Sequence, residues 1–445
     1  MKRQVASAFD VDEVWAGHPV GFDLLTVEDR QFVAYYDAER RLTVAQRDLG
    51  DDEWTRTTLD ERVGWDSHND IVAAVDSAGH LHVSGNMHVD PLVYFRSGEP
   101  LDATTLERIG ALVGRDEAAV TYPTFLDGPD GDLVFMYRDG GSGDGRRLLN
   151  AYDPETETWR RLLDEPLLDG RGEMNAYPTG PVRGPDGDYH LAWVWRDTPD
   201  AATNHDLSYA RSSDLVDWER ADGRPLDLPI TDDDGAVVDP VPAGEGLLNS
   251  NVAVGFDAED RPVLSYHKFD SDGNTQVYDA RLDGGDSDAG ADGGGSDADS
   301  DSGTGAASAG EWTVSQVSDW DYRWEFGGHG TLDDEVLVDP VRVVDDRLVQ
   351  TFWHAEYGPG RWVLDPETLA VEGADVPWHG LSEELRRPTA GGECEVQWVA
   401  DSATGTEQGE DTRTYALRWE TLPANRDRAR EETPAPTALR LYAFE

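Results

Sequence analysis

Two imidazole side chains are the first candidates for chemistry in this sequence. His68 and His88 lie on either side of a predicted β-hairpin, in which IVAAVD and HLHVSG form the strands and DSAGH forms the turn. The amides Asn69 and Asn86 lie beside them. Because strand ends are where a rigid sheet presents groups to a ligand, we interpret residues 64–97 as one wall of an active site.

Tyrosine and arginine recur as a pair in the segments that follow. VTYPTF and FMYRDG supply Tyr122 and Arg138, and NAYPTG and VWRD supply Tyr177 and Arg196 in the same order. A guanidinium binds carboxylate or sulfate through two parallel hydrogen bonds, so each arginine is a candidate anion clamp. The alternative is an ion pair with the aspartate that follows it. The candidates for substrate contacts are Asn69, Asn86, Tyr177, Arg196, Lys268 and Trp324.

Imidazole, phenol and guanidinium groups together suit β-elimination at a uronic acid. A cation neutralises the carboxylate on C5, an imidazole or phenolate removes the C5 proton, and a neighbouring group protonates the departing O4. One alternative is a glycoside hydrolase, which needs two positioned carboxyl groups, with Asp66, Asp70 and Asp139 as candidates. Another is a non-catalytic carbohydrate-binding protein. SSDLVDW (212–218) matches only half of a sialidase Asp-box, so we expect a turn there and not a sialidase.

A repeat predicts the elements that position these residues. A small acidic turn followed by an alternating strand that ends in aromatic residues recurs at 27–37, 75–85, 128–140, 184–197, 257–270, 344–357 and 410–420. Repeats of about 60 residues without helical periodicity predict an all-β fold, a single seven-bladed β-propeller over residues 1–445. We expect aromatic rings to fill the space between blades, and the final LRLYAFE to form a strand with the N-terminal segment.

Three stretches look like insertions into the propeller. Residues 284–310 have no large apolar side chain, which predicts a disordered acidic surface loop. Residues 400–411 and 423–436 look like milder versions. We assign no function to any of them.

The amino-acid composition limits the binding partners and the cellular compartment that we expect for this protein. With 91 acidic against 37 basic residues and a net charge of −54, the chain lacks the basic face that nucleic acid requires. We interpret this charge as adaptation to molar intracellular salt, as in halophilic archaea, because such salt screens self-repulsion. Cys394 is the single cysteine, which excludes an intramolecular disulfide and a thiolate zinc cluster. The sequence shows neither a secretory signal nor a membrane-spanning apolar run, so we expect a cytoplasmic monomer.

Long motifs in this sequence resemble the BNR-4 family of seven-bladed propellers over about residues 15–380. They include GWDSHND, HVSGNMHVDPLVYFRS, VTYPTF, YRDG, NAYPTG, VWRDTPD, TNHDLSYARSSDLVDW, SYHKFD and YRWEF. The chain is similar to the propeller-type ulvan lyases, which cleave a sulfated algal polysaccharide at uronic acid residues by β-elimination. Their sites hold two histidines about twenty residues apart and a tyrosine and an arginine sixteen apart, the spacings of His68 to His88 and Tyr122 to Arg138.

The resemblance implies a role for each of these four residues. His68 and Tyr122 would form the acid/base pair, Arg138 would neutralise the carboxylate, and His88 would support the site. Which of His68 and Tyr122 removes the proton stays open. The implied partner is an acidic oligosaccharide or polysaccharide, and the lack of a signal favours an imported oligosaccharide.

The resemblance also implies a structural metal ion, zinc or calcium, and no cofactor for the chemistry itself. TNHD and YHKF offer His205 and His267 as candidate ligands. Because no cysteine lies near His205, such a site would be built from histidine, aspartate and asparagine.

Overall fold

The computed structural model describes residues 4–283, 310–375, 383–391, 393–401 and 414–444, and in them the chain is built almost entirely of β-strands. The first fifteen are β1 (Val5–Val14), β2 (Asp23–Val27), β3 (Arg30–Tyr36), β4 (Arg41–Asp48), β5 (Thr55–Arg62), β6 (Ile71–Val75), β7 (Leu81–Gly85), β8 (His88–Asp90), β9 (Tyr94–Ser97), β10 (Leu106–Arg108), β11 (Val120–Asp127), β12 (Leu133–Gly141), β13 (Asp144–Asp153), β14 (Thr158–Arg161) and β15 (Leu168–Asp169).

The remaining strands continue the same all-β pattern. They are β16 (Asn175–Arg183), β17 (Tyr189–Arg196), β18 (Asn204–Ser212), β19 (Trp218–Glu219), β20 (Pro225–Leu226), β21 (Val237–Asp239), β22 (Ala253–Phe256), β23 (Pro262–Phe269), β24 (Thr275–Leu282), β25 (Trp312–Gln316), β26 (Val336–Val338), β27 (Arg342–Val344), β28 (Arg347–His354), β29 (Gly358–Leu364), β30 (Val371–Asp375), β31 (Glu395–Ala400), β32 (Thr414–Thr421) and β33 (Thr437–Phe444). The described helices are short: 3₁₀ turns at Ala103–Thr105, Ala201–Thr203 and Asn249–Asn251, and α1 (Glu383–Arg386). None of them has the length and apolar character needed to cross a bilayer.

The chain divides into two compact units. The first comprises residues 1–175, 328–334 and 379–445, and the second comprises 176–327 and 335–378. Strands of the first unit form the four-stranded antiparallel sheets β2-β3-β4-β5, β6-β7-β9-β10 and β1-β33-β32-β31, and β8-β11-β12-β13 is an antiparallel run within a larger sheet. In the second unit, β22-β23-β24-β25 is a four-stranded sheet, β26-β28-β29-β30 with β27 is a five-stranded sheet, and β16-β17-β18-β19 is a run within a larger sheet. The all-β class and the four-stranded sheets agree with the sequence, whereas the ring of seven blades stays a prediction.

The predicted central hairpin is confirmed. β6 pairs antiparallel with β7, from Ile71 opposite Gly85 to Val75 opposite Leu81. Asp76 closes the turn, because its Oδ1 accepts hydrogen bonds from the backbone N–H groups of Ala78 and His80, both at 2.9 Å. Aspartate favours such turns because its short side chain can mimic a backbone acceptor.

The predicted pairing of the two ends of the chain is also confirmed. β33 runs antiparallel to β1, with Val5 opposite Phe444 and Val14 opposite Thr437. The sheet β1-β33-β32-β31 therefore contains residues from both ends of the sequence.

Aromatic rings pack between neighbouring strand groups of the first unit, as expected. Phe22, next to β2, stacks on Trp419 of β32 with ring centroids 4.4 Å apart. The ring of His82 in β7 meets Tyr152 of β13 at 4.8 Å. Such rings bury large areas and account for much of the packing energy.

The structure describes only some of the predicted insertions, and it also describes the segment that half matches an Asp-box. Residues 284–310 and 400–411 lie almost wholly outside the described residues. Residues 423–436 are described, and they connect β32 to β33. The segment 212–218 forms the predicted turn, in which Asp214 Oδ1 accepts hydrogen bonds from the backbone N–H groups of Val216 and Asp217.

Candidate active site

Strand register brings two of the four predicted catalytic residues to neighbouring positions. In β11, Thr121 lies opposite His88 of β8 on one side and opposite Arg138 of β12 on the other. Tyr122 follows Thr121 in the same strand. His68 reaches this point from the loop that precedes β6. All four residues belong to the first unit.

The backbone of Tyr122 has an unusual conformation. Its φ is +53°, a left-handed value that costs free energy for an aromatic residue. The register between β11 and β12 shifts at this point, between Thr121 and Thr124, which marks a bulge. Bulges redirect side chains and are frequent beside functional sites. Here the bulge turns the phenol of Tyr122 towards the two histidines.

The aromatic rings lie in contact range of one another. The ring centroids of His68 and His88 are 4.3 Å apart. The ring of Tyr122 lies 5.9 Å from that of His68 and 6.3 Å from that of His88. The two imidazole side chains are each about one quarter exposed, at 23% and 24%. Ligand can therefore reach them without unfolding of the site.

One carboxylate holds both imidazoles. Asp66 Oδ1 accepts a hydrogen bond from His68 Nδ1 at 2.6 Å, and Asp66 Oδ2 accepts one from His88 Nδ1. Oδ1 also accepts the backbone N–H of His68 at 2.9 Å. A carboxylate that accepts from Nδ1 fixes the tautomer and the orientation of a histidine. Nε2 of each ring is then the nitrogen that can take or give a proton.

This arrangement perturbs the acidity of both partners. Burial of Asp66 opposes its ionisation, but the hydrogen bonds from His68 and His88 outweigh burial and hold its pKa well below the ordinary value. Burial also disfavours the imidazolium of His68, yet the hydrogen bond and charge of Asp66, with the charges of Asp427 and Asp70, raise the pKa of His68. A carboxylate that stays ionised stabilises positive charge on the imidazole beside it.

Arg138 completes the group from β12. Its side chain is fully buried, and its Cζ lies 4.9 Å from the centroid of the Tyr122 ring, a cation–π distance. Nε donates to the carbonyl oxygen of Gly140 at 3.1 Å. A Cβ added to Gly145 would lie 2.8 Å from Cδ of Arg138 and 2.5 Å from Oδ1 of Asn175. The side chain of Arg138 can therefore keep its position only if residue 145 is glycine.

The aspartates that follow the two predicted clamps have other partners. Asp139 accepts hydrogen bonds from Arg146 at 2.9 and 3.1 Å, and Asp197 lies 3.1 Å from His205 Nε2. The third hydrolase candidate, Asp70, accepts the backbone N–H of Gly21 at 2.6 Å.

Two of the predicted substrate contacts also lie in the first unit. Asn69, next to His68, is 7% exposed, and its backbone carbonyl accepts the hydroxyl of Tyr36 at 2.7 Å. Asn86 has a φ of +63°, and its Nδ2 donates to Glu61 Oε2 at 2.8 Å. The side-chain amide of Asn86 is therefore held by Glu61, whereas Asn69 is held through its backbone.

The other predicted substrate contacts lie in the second unit. Arg196 repeats the arrangement of Arg138, with its Cζ 4.1 Å from the ring of Tyr177 and its Nη1 donating to the phenol oxygen at 3.2 Å. Lys268 forms an ion pair with Asp239 at 2.5 Å. Trp324 is 2% exposed and packs beside a histidine, so a sugar could contact it only after a rearrangement.

The implied metal ligands lie in different surroundings. The ring nitrogens of His205 bond to Asp206 at 2.9 Å and Asp197 at 3.1 Å. His267 is buried against Trp324, and burial lowers its pKa to about 4. In the ranges that the structure describes, the group of three metal-ligating side chains with atoms within 4.8 Å is Asp66, His68 and His88, and it includes neither predicted ligand. The implied structural metal at His205 and His267 stays a prediction.

Sequence reasoning missed two acidic partners of His68. Asp66 entered only as a candidate hydrolase acid, although it bridges both histidines. Asp427 lies in a stretch that received no function, yet its Oδ2 lies 3.8 Å from His68 Nδ1. The position of Asp66 two residues before His68 in GWDSHND was an available signal. For Asp427 the sequence carries none.

Comparison with known proteins decides the family. Residues 30–288, more than half of the 445-residue chain, match the model of the BNR repeat-containing family. The chain belongs to this family. The family accounts for the repeated turn-and-strand pattern, and its match covers Asp66, His68, His88, Tyr122 and Arg138.

Curated relatives of this BNR repeat protein are ulvan lyases, over part of their length. The short isoform from Alteromonas sp. (strain LOR) is 28% identical over 130 residues, which are 26% of this chain and 24% of that protein. The long isoform from Pseudoalteromonas sp. (strain PLSV) is 29% identical over 126 residues, 26% of this chain and 13% of that protein. The chain thus spans about a quarter or less of these relatives.

Solved structures show the fold of this BNR repeat protein over nearly its whole length. The crystal structure of the polysaccharide lyase Uly1 matches with a TM-score of 0.65, 12% identity and 99% coverage of both chains. An ulvan lyase bound to -[GlcA(1-4)Rha3S]- matches with a TM-score of 0.61, 12% identity, and coverage of 96% of this chain and 94% of that one. The shared fold is the propeller-type all-β fold predicted from the repeats.

Proposed function

We propose that this BNR repeat protein is a polysaccharide lyase that cleaves a uronate-containing glycan by β-elimination. The observation that carries the proposal is the convergence of four side chains: two imidazoles bridged by Asp66 lie against the phenol of Tyr122, which itself lies under the guanidinium of Arg138. Three of these side chains correspond to the three requirements of the elimination, and the fourth, His88, supports the site.

The first requirement is acidification of the C5 proton. The carboxylate at C5 of a uronate withdraws little charge while it is ionised, and a guanidinium bound to it stabilises the enolate-like intermediate. Arg138 suits this role because its guanidinium lies against Tyr122 and can bind a carboxylate through two parallel hydrogen bonds. Since its side chain is fully buried, a uronate carboxylate reaches it only after a local rearrangement of the site.

The second requirement is a base. Asp66 binds Nδ1 of His68, which leaves Nε2 to accept the C5 proton, and its ionised carboxylate then stabilises the imidazolium that forms. We therefore assign the base to His68. His88, held by the other oxygen of Asp66, orients the carboxylate and adds a polar wall to the site.

The third requirement is an acid for the leaving group. As the C4–O4 bond breaks and the C4=C5 double bond forms, the hydroxyl of Tyr122 donates its proton to O4. The proton taken by His68 and the proton given by Tyr122 balance, and exchange with water restores both groups. The bulged backbone of Tyr122 fixes the direction of its side chain for this transfer.

The relatives suggest the substrate class. They are ulvan lyases, and one solved neighbour holds a glucuronate linked to sulfated rhamnose. We propose an acidic, sulfated glycan of this kind as the first substrate to test. A glycoside hydrolase is less well supported, because Asp66 and Asp139 are bound to His68 and Arg146, respectively.

The test is the ultraviolet absorbance of the conjugated 4,5-unsaturated uronate, followed in molar KCl with ulvan, other uronate polymers and their oligosaccharides. We expect absorbance to rise with the wild type and to stay flat with His68→Ala and Tyr122→Phe. Tyr357→Phe is the matched control, since Tyr357 is 50% exposed and belongs to the second unit. New reducing ends without absorbance would refute elimination in favour of hydrolysis, and binding without either signal would refute an enzyme.

A further inference from the structure

A loop that the sequence marks only as an insertion forms part of the surroundings of His68. The 423–436 loop leads from β32 to β33 and makes contacts with three other loops of the first unit. Arg430 Nη1 donates to the carbonyl oxygen of Gly17 at 2.9 Å. Arg426 Nη1 donates to the carbonyl oxygen of His329 at 3.3 Å. The third contact is made by Asp427.

The carboxylate of Asp427 joins two of these loops to its own. Oδ1 accepts the backbone N–H of Ser67 at 3.1 Å and its hydroxyl at 2.9 Å. The hydroxyl of Thr331 donates to Oδ1 at 2.8 Å, and its backbone N–H donates to Oδ2 at 2.9 Å. The hydroxyls of Ser67 and Thr331 also lie within hydrogen-bond distance of each other. Because each hydroxyl has one proton, the carboxylate accepts four hydrogen bonds when both hydroxyls donate to it, and three when one of them donates to the other.

Ser67 is the residue between Asp66 and His68, so the hydrogen bonds from Ser67 to Asp427 help to fix the position of His68. Holding both the backbone and the side chain of Ser67 fixes the turn from which Asp66 and His68 extend. Asp427 itself has a φ of +59°, a conformation that aspartate tolerates better than most residues. Such local strain persists where the surrounding contacts determine the conformation.

The same carboxylate contributes charge. Asp427 Oδ2 lies 3.8 Å from His68 Nδ1, and its side chain is 16% exposed, so solvent screens the interaction only partly. The other groups that act on His68 are the carboxylates of Asp66 and Asp70 and the rings of His88 and Tyr122. Asp427 is the carboxylate in this set that comes from a distant part of the sequence.

We infer that Asp427 is a positioning residue for His68: the 423–436 loop holds the turn at Ser67 and thereby the imidazole in the geometry that elimination requires. The inference rests on the proposed function for its catalytic consequence. Its structural part, that Asp427 sets the surroundings of His68, stands on the hydrogen bonds from Ser67 and Thr331 and can be tested without substrate.

Two variants differ in what they remove around Asp427. Asp427→Asn keeps the size and one acceptor oxygen but loses the charge and the second acceptor, whereas Thr331→Val keeps the charge and removes one hydrogen bond. We expect Asp427→Asn to lower kcat by about 10- to 100-fold, as for loss of one or two hydrogen bonds to a charged group, with a smaller change in KM. Thr331→Val should lower kcat less and leave the pH dependence unchanged. Glu431→Gln, an exposed position of the same loop, is the matched control.

A titration of the His68 imidazole by NMR supplies a readout independent of activity. The His68→Gln variant assigns its signal, and the titration is compared between wild type and Asp427→Asn. We expect the midpoint to move to lower pH in Asp427→Asn and to stay in place in Glu431→Gln. An unchanged midpoint together with unchanged kcat would overturn the inference. Failure of the proposed function would appear instead as an absence of elimination product from the wild type, with the titration still showing the shift.

Discussion

Replacement of Asp66 by asparagine tests the central element of the proposed chemistry. Asp66 accepts hydrogen bonds from both imidazole Nδ1 atoms and from the backbone N–H of His68. An asparagine at this position has one acceptor oxygen and one donor NH₂ group, so it cannot accept from both rings. At least one imidazole must then rotate or change tautomer, and neither imidazolium has an anionic partner at that position.

The expected loss of activity in Asp66→Asn follows from the two hydrogen bonds that the imidazoles donate to Asp66. A hydrogen bond to a charged group contributes about 1.5–3 kcal/mol, so loss of both amounts to about 3–6 kcal/mol. The side chain of Asp66 is 31% exposed, so solvent screening favours the lower half of that range. We expect kcat/KM of Asp66→Asn to fall by about 10²–10³-fold on a uronate glycan, at about 1.4 kcal/mol for each factor of ten.

The pH dependence identifies the role of His68. Asp66 raises the pKa of His68, so Asp66→Asn should lower it. If His68 is the base, it acts in its neutral form, activity is lost as pH falls through its pKa, and the acid limb of the profile should move to lower pH in the variant. If His68 is the acid, the alkaline limb should move to lower pH instead, and our assignment to Tyr122 is reversed.

The assay is continuous ultraviolet detection of the unsaturated product over a range of pH. Asp52→Asn is the control, because this substitution removes the same charge from an exposed position elsewhere on the protein. A thermal unfolding curve checks that each variant is folded. A folded Asp66→Asn enzyme with wild-type kcat/KM and an unmoved pH profile would refute the role of the bridging carboxylate.

Two further predictions concern packing and stability. In Gly145→Ala the new Cβ would lie 2.8 Å from Cδ of Arg138, so we expect kcat/KM to fall by about 10-fold or more, whereas Gly141→Ala, with open space at that position, should match the wild type in the same assay. An unaffected Gly145→Ala enzyme would show that the place of the guanidinium is not critical. Burial lowers the pKa of His267 from 6.5 to about 4. As pH falls, the unfolded state therefore takes up a proton at this histidine before the folded state does. The free energy of unfolding is thus independent of His267 ionisation above about pH 6.5, and it declines by up to about 1.4 kcal/mol per pH unit as pH falls towards 4. Denaturant unfolding of His267→Leu between pH 4 and 7 should show a shallower decline than the wild type, and equal slopes would contradict this account.

The sequence predicts those parts of the molecule that depend on local patterns. The alternation in HLHVSG gives β7, and the acidic turn before it gives the hairpin with β6, because period-two hydrophobicity and turn chemistry act over a few residues. The strand at the C-terminal end and its partner β1 were also predicted. His68, His88, Tyr122 and Arg138 could be chosen as one candidate site because their spacing matches that of a known family and because the two histidines flank the predicted hairpin.

The contacts that depend on tertiary structure could not be predicted. In a chain with 91 acidic residues, composition cannot single out Asp66 or Asp427. Asp427 meets Ser67 across 360 positions, a contact that only the folded chain defines. The left-handed backbone of Tyr122 is likewise invisible in VTYPTF, since the bulge depends on the register with β12. Trp324 was a candidate for a substrate contact, but it is buried by packing that the sequence does not reveal.

The pairing of β33 with β1 has a consequence for biosynthesis. A ribosome releases the N-terminal end of a chain first, yet β1 finds its strand partner only when residues 437–444 have been made, and the turn at Ser67 meets Asp427 almost as late. A nascent chain can form the hairpin of β6 and β7 early, but one edge of β1 stays open to other strands until residues 437–444 have been made. A chain that terminates before β33 leaves one edge of β1 without its strand partner, so we expect such a chain to be prone to aggregation.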